Sequence, residues 1–363
     1  VIRPAPDGLQ MVFRAPGSPL DPVRMPLPAL GPREVLVRNA FTTLCRSDVT
    51  TWLGKRREPL PTVLGHEVMG TVVAFGPEAA AADCRGLPLA VGDRVTWAIY
   101  ASDADDPMAK AGMPQKAARR FKYGHETVSE GSCHHGGLGE YTVLRAGTPI
   151  ARLSPHLPDP VAALINCSVS TAAGALRLAG PLPGRRLLVS GAGMLGLAAC
   201  ALGVELGAAH VAAVDVDPAR AARATAFGAR VTRAVDGAGE ELRGVGLFDV
   251  VVETSGAPAA MASTLRLLDT GGVAVWIGAV FPQAGTVVDA EMVLRRLLTI
   301  RGLHNYNGDD LRLAVEMVER MHPRVPFESL VSESFPLVEA DAAFARAAHG
   351  DAVRVGVRIP PAG

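Results

Sequence analysis

RLLVSGAGMLG, residues Arg186 to Gly196, is the stretch on which the fold turns. Arg186 to Ser190 is apolar at its centre and reads as a short strand, and the Ala-rich run from Met194 to Leu206 reads as a helix. Between them Gly191-Ala192-Gly193-Met194-Leu195-Gly196 has the G-x-G-x-x-G spacing. Such a motif says little alone, but a strand before it and a helix after it supply the context of a dinucleotide-binding turn. The first glycine permits the tight turn, the second lets backbone approach a pyrophosphate, and the third lets helix and strand pack closely, with the anion at the helix N-terminus. Gly191, Gly193, Met194, Leu195 and Gly196 are therefore candidate cofactor contacts. Asp215 ends the next apolar strand about 20 residues on, where a carboxylate accepts from the adenosine ribose hydroxyls and repels a 2′-phosphate. NAD is expected rather than NADP, although Arg220 close by is a cation that can tolerate a phosphate.

Working outward, strands at Val211 to Asp215, Phe248 to Glu253, Val273 to Ile277 and Leu298 to Gly302 alternate with helices such as Pro218 to Phe227. Strands that are nearly all apolar are buried on both faces, and their alternation with helices predicts an α/β fold with a doubly wound parallel sheet of the Rossmann kind over residues 159–300. The preceding text is different. Short β-like runs at Glu34 to Ala40, Val68 to Phe75, Arg94 to Trp97 and Glu140 to Leu144, punctuated by Gly and Pro, read as a mostly β domain over residues 1–158. The tail over residues 301–363, with helices near Asp309 to Arg320 and Ala340 to His349 and a strand at Val353 to Ile359, is free to return to that domain, the wrapping that the resemblance described below implies. The Ala-, Pro- and Gly-rich stretch from Pro77 to Leu89 reads as a surface loop.

Thirty-six Lys and Arg balance 36 Asp and Glu, which argues against reliance on nucleic acid or an anionic membrane. No window approaches the roughly 18 uninterrupted apolar residues of a membrane span, and the start at Val1 has neither a basic nor an apolar leader region, so a soluble, cytoplasmic protein is expected. Five scattered cysteines point to reduced thiols, not a disulfide framework. Three residues stand where ligands are plausible: Cys45 after an apolar strand, His66 in a Gly-His-Glu turn and Cys167 beside a helix start. Two thiolates and an imidazole leave the fourth position of a zinc ion open, as catalysis requires. A buried cysteine is more often a small hydrophobe, and on these three residues in isolation that reading wins.

Their surroundings reverse that. Cys45-Arg46-Ser47-Asp48, Gly65-His66-Glu67, Gly70 and Gly76, Gly92-Asp93-Arg94-Val95, and Cys167 ahead of the Gly191 fingerprint occur in the order found in the zinc-containing medium-chain alcohol dehydrogenases, and over nearly its whole length the chain resembles that family. The resemblance implies a GroES-like catalytic domain beside the Rossmann domain. It implies one catalytic zinc on Cys45, His66 and Cys167, with Glu67 as a transient ligand and Asp48 orienting His66. Ser47 matches the hydroxyl that takes the substrate proton, and Arg46 matches a residue that contacts the cofactor pyrophosphate. Zinc would ease loss of the alcohol proton, and the alkoxide would then pass hydride to NAD. The relay often ends on a histidine three residues after the serine, where this chain has Thr50; Thr50, the cofactor ribose and water stay open as its end. Many relatives hold a second, structural zinc on four cysteines, but the matching positions here are Asp103, Asp106, Ala109 and Ala117, so one zinc per chain is expected.

The stretches Lys122-Tyr123-Gly124-His125-Glu126, Gly278 to Pro282 and Gly302 to Tyr306 are similar to a branch associated with phosphonate metabolism and to cyclitol dehydrogenases. They imply a polar, often anionic alcohol or ketone, such as a hydroxyalkylphosphonate or a phosphorylated cyclitol or polyol. Lys55, Arg56, Arg57, Arg119, Arg120 and Lys122 are candidate cations for it, and His125, His134, His135 and His304 candidate pocket residues, the first and last favoured by motif context. The alternatives are an uncharged polyol, sugar or cyclitol substrate, or a zinc-free quinone reductase or non-catalytic binding protein on the same fold. The apolar run Leu297 to Ile300 lies where relatives pair, which implies a homodimer or a homotetramer.

Overall fold

Arg186–Ser190 is a buried strand because its side chains face packed helices on both sides of a sheet. The computed structural model describes residues 6–79, 82–129, 132–234 and 246–361. In it this strand sits inside a six-stranded sheet whose spatial order is Val231–Ala234, His210–Asp215, Arg186–Ser190, Phe248–Glu253, Leu268–Trp276 and Thr299–Gly302. Every neighbouring pair is parallel, with Val189 opposite Ala213 on one side and Val252 on the other. Counted along the chain the order is third, second, first, fourth, fifth, sixth, the doubly wound arrangement that binds dinucleotides at the reversal beside the first strand. Leu188, Val214, Phe248, Val251 and Leu265 form its core. The outermost strand Val231–Ala234 is the one missing from the sequence reading: a short edge strand with two exposed residues carries no apolar run.

The chain divides into two units. Ser168–Tyr306 with Arg320–Pro326 forms the one just described; Val1–Cys167 with Asn307–Glu319 and Phe327–Gly363 forms the other. The sequence reading placed the divisions at 158 and 301; packing puts them later, and sends the short segment after the Gly308–Met321 helix back to the dinucleotide unit. In the β-rich unit the strand Val35–Thr43 is the hub, paired antiparallel with Glu67–Phe75, Tyr141–Leu144 and Arg354–Arg358. Thr43 lies opposite both Glu67 and Gly356. The end of the hub strand and the beginnings of two partners thus meet just before Cys45. A smaller sheet of Asp21–Pro26, Asp7–Phe13 and Thr62–Val63 completes this unit. Of the surface loop read at Pro77 to Leu89, residues 80 and 81 lie outside the described ones.

Asp159–Ala179 is helical throughout and long and apolar enough to cross a membrane by length and composition, but 78% of its most apolar window is buried inside the protein. It is a core helix. Its middle, Ile165–Val169, widens into a π-turn, an interruption that aims side chains away from the regular helical register. Asn166 in that turn accepts from Val68 N (3.1 Å) and donates to the carbonyls of His66 (3.0 Å) and Trp97 (2.9 Å). All three partners are buried backbone groups, so Asn166 stitches the helix to the strand that follows His66 and sets Cys167 beside it. Asn166→Ala orphans these groups and is expected to destabilise the protein by about 2–4 kcal/mol, measured by urea unfolding; a loss under about 1 kcal/mol would show that the helix is held by packing alone.

Candidate metal and cofactor sites

Cys45 stands at the N-cap of a seven-residue helix, Arg46–Trp52, and Asp48 at its third position reaches back so that Oδ2 accepts from Cys45 N at 3.1 Å. The other oxygen, Oδ1, accepts from Gly65 N (3.3 Å) and from His66 Nδ1 (3.1 Å). One fully buried carboxylate therefore fixes the Cys45 backbone, the Gly65 turn and the tautomer of His66, leaving His66 Nε2 as the ligand atom. Among the described residues, Cys45, His66 and Cys167 form the one group of three or more metal-binding side chains, their ligand atoms all within 4.8 Å of one another. Two soft sulfurs and an imidazole suit zinc, with room for one further ligand. Ser47 Oγ lies 3.5 Å from His66 Nε2. Thr50 hydrogen-bonds instead to its own helix, its hydroxyl donating to the carbonyls of Arg46 (3.0 Å) and Ser47 (2.9 Å).

Glu67, expected as a transient ligand, rests here on other partners. It is fully buried, but its two oxygens take Arg354 Nε (2.6 Å) and Nη2 (2.7 Å), and Thr43 Oγ1 donates to one of them at 2.7 Å. A carboxylate in this bidentate clamp is not within the metal cluster. Burial pushes Glu67 upward against the pull of Arg354. Arg354, unremarked in the sequence, also donates to Cys45 Sγ at 3.7 Å. No local pattern could flag it, because it lies 309 residues from Cys45 and enters only through the pairing of the last strand.

The three ligands share protons unevenly. A hydrogen bond from Cys167 holds Cys45 well below the usual thiol value, with help from Arg354 and His66, while the same contact and burial push Cys167 well above it. Burial alone would lower His66, but Asp48 and then Cys45 outweigh it and raise the imidazole to about 10. In the metal-free site these directions favour a thiolate at Cys45, a thiol at Cys167 and an imidazolium at His66. Zinc needs both sulfurs deprotonated and the imidazole neutral, so loading should release about two protons per ion, and affinity should rise about a hundredfold per pH unit near neutrality. Calorimetry of zinc uptake in buffers of different ionisation enthalpy counts those protons; fewer than one would contradict the assigned charge states.

Behind this cluster, His125 packs its ring against His66, centroids 5.0 Å apart and 36° inclined. Gly124 makes that approach possible: a Cβ there would meet Gly65 O at 2.7 Å, and its φ of +74° suits glycine. His125 Nδ1 lies 3.0 Å from Glu58 Oε1, which Arg56 also holds at 2.5 Å. Burial, with Lys122 and His66 adding, keeps His125 well below its ordinary value. Lys122 is partly buried, and its ammonium is lowered by burial and by Arg56 while feeling Glu58 and Cys167. Of the remaining candidate cations, Lys55, Arg57 and Arg119 are exposed, and Arg120, whose charge also acts on Lys122, bonds Ala117 O. His134 is spent on Gln10 and Pro26 O, His135 is sealed away, and His304 is exposed on the dinucleotide unit.

The lobe that lacks cysteines is closed by carboxylates. Asp106 Oδ1 accepts from Met108 N (2.8 Å) and Oδ2 from Ala118 N (2.9 Å), Asp103 accepts from Asp105 N (2.9 Å), Lys110 pairs with Asp105 (2.9 Å), and Ala117 is buried. Asp103 and Asp106 are therefore occupied by backbone.

In the dinucleotide unit Gly191 has φ +92°, and a Cβ on Gly196 would lie 1.8 Å from Gly191 O, so both positions demand glycine. Gly193 faces open space and caps the Met194–Glu205 helix without a side-chain partner, leaving the first helical amides for an anion. Asp215 is buried at its strand end, with Oδ2 accepting from Ala192 N (2.8 Å), which ties it to the glycine turn, and with Arg220 Nε 3.7 Å from Oδ1. Arg46 is exposed at the start of its helix in the β-rich unit.

These features agree with the known proteins that the chain resembles. The alcohol dehydrogenase GroES-like domain matches residues 31–154 and the zinc-binding dehydrogenase domain residues 195–320. An L-threonine 3-dehydrogenase of Paraburkholderia phytofirmans is 29% identical over 358 residues, covering 96% of this chain and 97% of that protein. Among solved structures, an alcohol dehydrogenase of Thermotoga maritima superposes with a TM-score of 0.89 at 24% identity, covering 98% of this chain and all (100%) of that one. An alcohol dehydrogenase of Thermus sp. ATN1 gives 0.82 at 25% identity, covering 97% and 100%. The chain belongs to the zinc-dependent medium-chain alcohol dehydrogenase family. It is an oxidoreductase acting on CH–OH groups, with zinc and a nicotinamide dinucleotide as its cofactors.

Proposed function

We propose that this enzyme oxidises a polar or anionic alcohol, primary or secondary, with NAD, at a single zinc held by Cys45, His66 and Cys167. The observation that carries the reading is the cluster itself, three ligand atoms within 4.8 Å with Ser47 Oγ beside His66 Nε2. When bound, zinc supplies a Lewis acid that eases loss of a hydroxyl proton, and NAD supplies the hydride acceptor. Asp48 orients the imidazole, Ser47 receives the substrate proton, and Arg354 neutralises Glu67 and supports the Cys45 thiolate. The proton leaves Ser47 toward solvent or cofactor, because Thr50 directs its own hydrogen to backbone. Asp215 favours NAD over NADP through repulsion of a 2′-phosphate, with Arg220 already engaged by Asp217 at 3.1 Å.

Lys122 supports an anionic group on the substrate. It has no ion-pair partner among the described residues and its charge is felt at Cys167. A phosphonate, phosphate or carboxylate fits this cation, which brings hydroxyalkylphosphonates, phosphorylated cyclitols and polyols, and also L-threonine, the substrate named for the relatives, into one panel. Uncharged polyols and cyclitols are the competing class, and their comparison with charged counterparts separates the two. We also propose that two copies pair along the outer edge of Thr299–Gly302, beside which Leu294 and Leu297 stand 74% and 72% exposed.

The expected result is about one zinc per chain by elemental analysis and NADH formation with at least one anionic member of the panel. Lys122→Met should reduce kcat/KM for that member about tenfold relative to an uncharged analogue; an unchanged ratio would remove Lys122 from the site. Light scattering should give a dimer or tetramer mass, shifted toward the monomer by Leu297→Glu.

A further inference from the structure

The dinucleotide unit buries a carboxylate that no cation answers. Glu253, the last residue of the fourth strand, is fully buried, and no Lys, Arg or His pairs with it among the described residues. Donors hold it instead. Oε1 accepts from Ser255 N (2.9 Å), from Ser255 Oγ and from Gly256 N (3.2 Å), and Oε2 accepts from Gly256 N (2.9 Å). Burial pushes Glu253 upward, while Ser255, Gly256 and the Ser190 hydroxyl pull it down. Backbone amides can only donate, so these partners suit the ionised carboxylate. Glu253 lies in register with Ser190 on one side and Trp276 on the other. Asp215 closes the strand on the far side of the Gly191 turn, so the two carboxylates flank that turn. A dinucleotide laid across the reversal of strand order has its adenosine ribose at Asp215 and its nicotinamide half over the ends of the fourth and fifth strands. The loops leaving those two strands are pressed together. A Cβ on Gly256 would meet Gly278 O at 2.4 Å, and Thr254 Oγ1 donates to the carbonyls of Ser190 and Gly191, 2.9 Å from each. Glu253 lies under these loops, sealed from the water that would screen it.

We propose that Glu253 is a fixed negative charge under the nicotinamide half of the cofactor, favouring the cationic ring of NAD+ over the neutral ring of NADH. The proposal rests on the NAD reading given above. It concerns which redox form the site prefers and leaves the alcohol open. Both forms carry the same pyrophosphate and the same adenosine, so repulsion of the phosphates by Glu253 acts on both alike, and only the ring charge separates them. Compared with the same site lacking the charge, NAD+ is held more firmly relative to NADH, and the reduced product leaves more readily.

The test is a binding measurement and needs no turnover. Dissociation constants for NAD+, NADH and ADP-ribose, which lacks the nicotinamide, are obtained by calorimetry on the zinc-loaded protein. Glu253→Gln removes the charge but keeps the size and one oxygen for the Ser255 and Gly256 amides, and the hydroxyls of Ser190 and Ser255 can turn to accept from its NH2. In this variant Kd(NAD+)/Kd(NADH) should rise about tenfold, the scale of one poorly screened unit charge, while ADP-ribose binds no more weakly than before. Glu253→Asp, which keeps the charge, should stay close to the wild-type ratio. Ser255→Lys, at an exposed position, leaves the carboxylate in place and sets an ammonium beside it, so it should raise the ratio without touching the buried residue. A ratio unmoved in Glu253→Gln or in Ser255→Lys, or raised equally in Glu253→Asp, would overturn the proposal. So would equal weakening of all three ligands in Glu253→Gln, the result expected of a carboxylate that only closes its turn. Wild-type protein that binds NADP+ and NADPH but neither NAD+ nor NADH would correct the choice of dinucleotide, and the same ratio taken with that pair would still decide this proposal.

Discussion

Charge compensation in a sealed space governs the β-rich unit. Asp48 and Glu67 are buried beside the half-buried Cys45 sulfur, and an unpaired charge in such surroundings is costly. Arg354 answers Glu67 and Cys45, while in the metal-free state His66 answers Asp48 as an imidazolium. A divalent ion arriving as the His66 and Cys167 protons leave keeps the net charge of the cluster the same. The same residues that neutralise the empty site would orient the ligands of the loaded one. This requirement explains why the last strand returns to pair with the hub strand. Only that pairing brings Arg354 to a carboxylate fixed 287 residues earlier.

Much of this was legible in the chain. The glycine turn, Asp215 and the apolar strands announced the parallel sheet because their physical demands are local: a positive φ at Gly191, a Cβ that cannot fit at Gly196, a carboxylate at a strand end. Cys45 with Asp48 was legible for the same reason, since an N-cap and its third residue are neighbours in sequence. The metal ligands could be nominated but not assembled, because their convergence depends on strand pairing and on the π-turn that turns Cys167 toward His66.

What stayed hidden was long-range or weakly patterned. Asn166 sits in an apolar run, where a single polar residue invites the question of what it bonds but does not answer it. Arg354 opens a strand that reads as ordinary. The clamp on Glu67 stayed hidden because the arginine that makes it lies at the other end of the chain. Of the basic residues around the expected pocket, exposure removed Lys55, Arg57 and Arg119, and an acceptor nearby claimed Arg120; sequence proximity to Trp52 or to the Lys122 motif could not distinguish these from Arg56 and Lys122.

The lobe around Asp106 carries a consequence of a different kind. Relatives with four cysteines there stake the lobe's shape on a second metal and on thiols that oxidants attack. Here Asp106 and Asp103 hold backbone amides directly, and Lys110 pairs with Asp105 beside them. A chelator therefore finds no thiolate-bound metal to remove from that lobe. Inactivation by a chelator should be confined to the catalytic ligands and be reversed by returning zinc, without any need to refold the polypeptide.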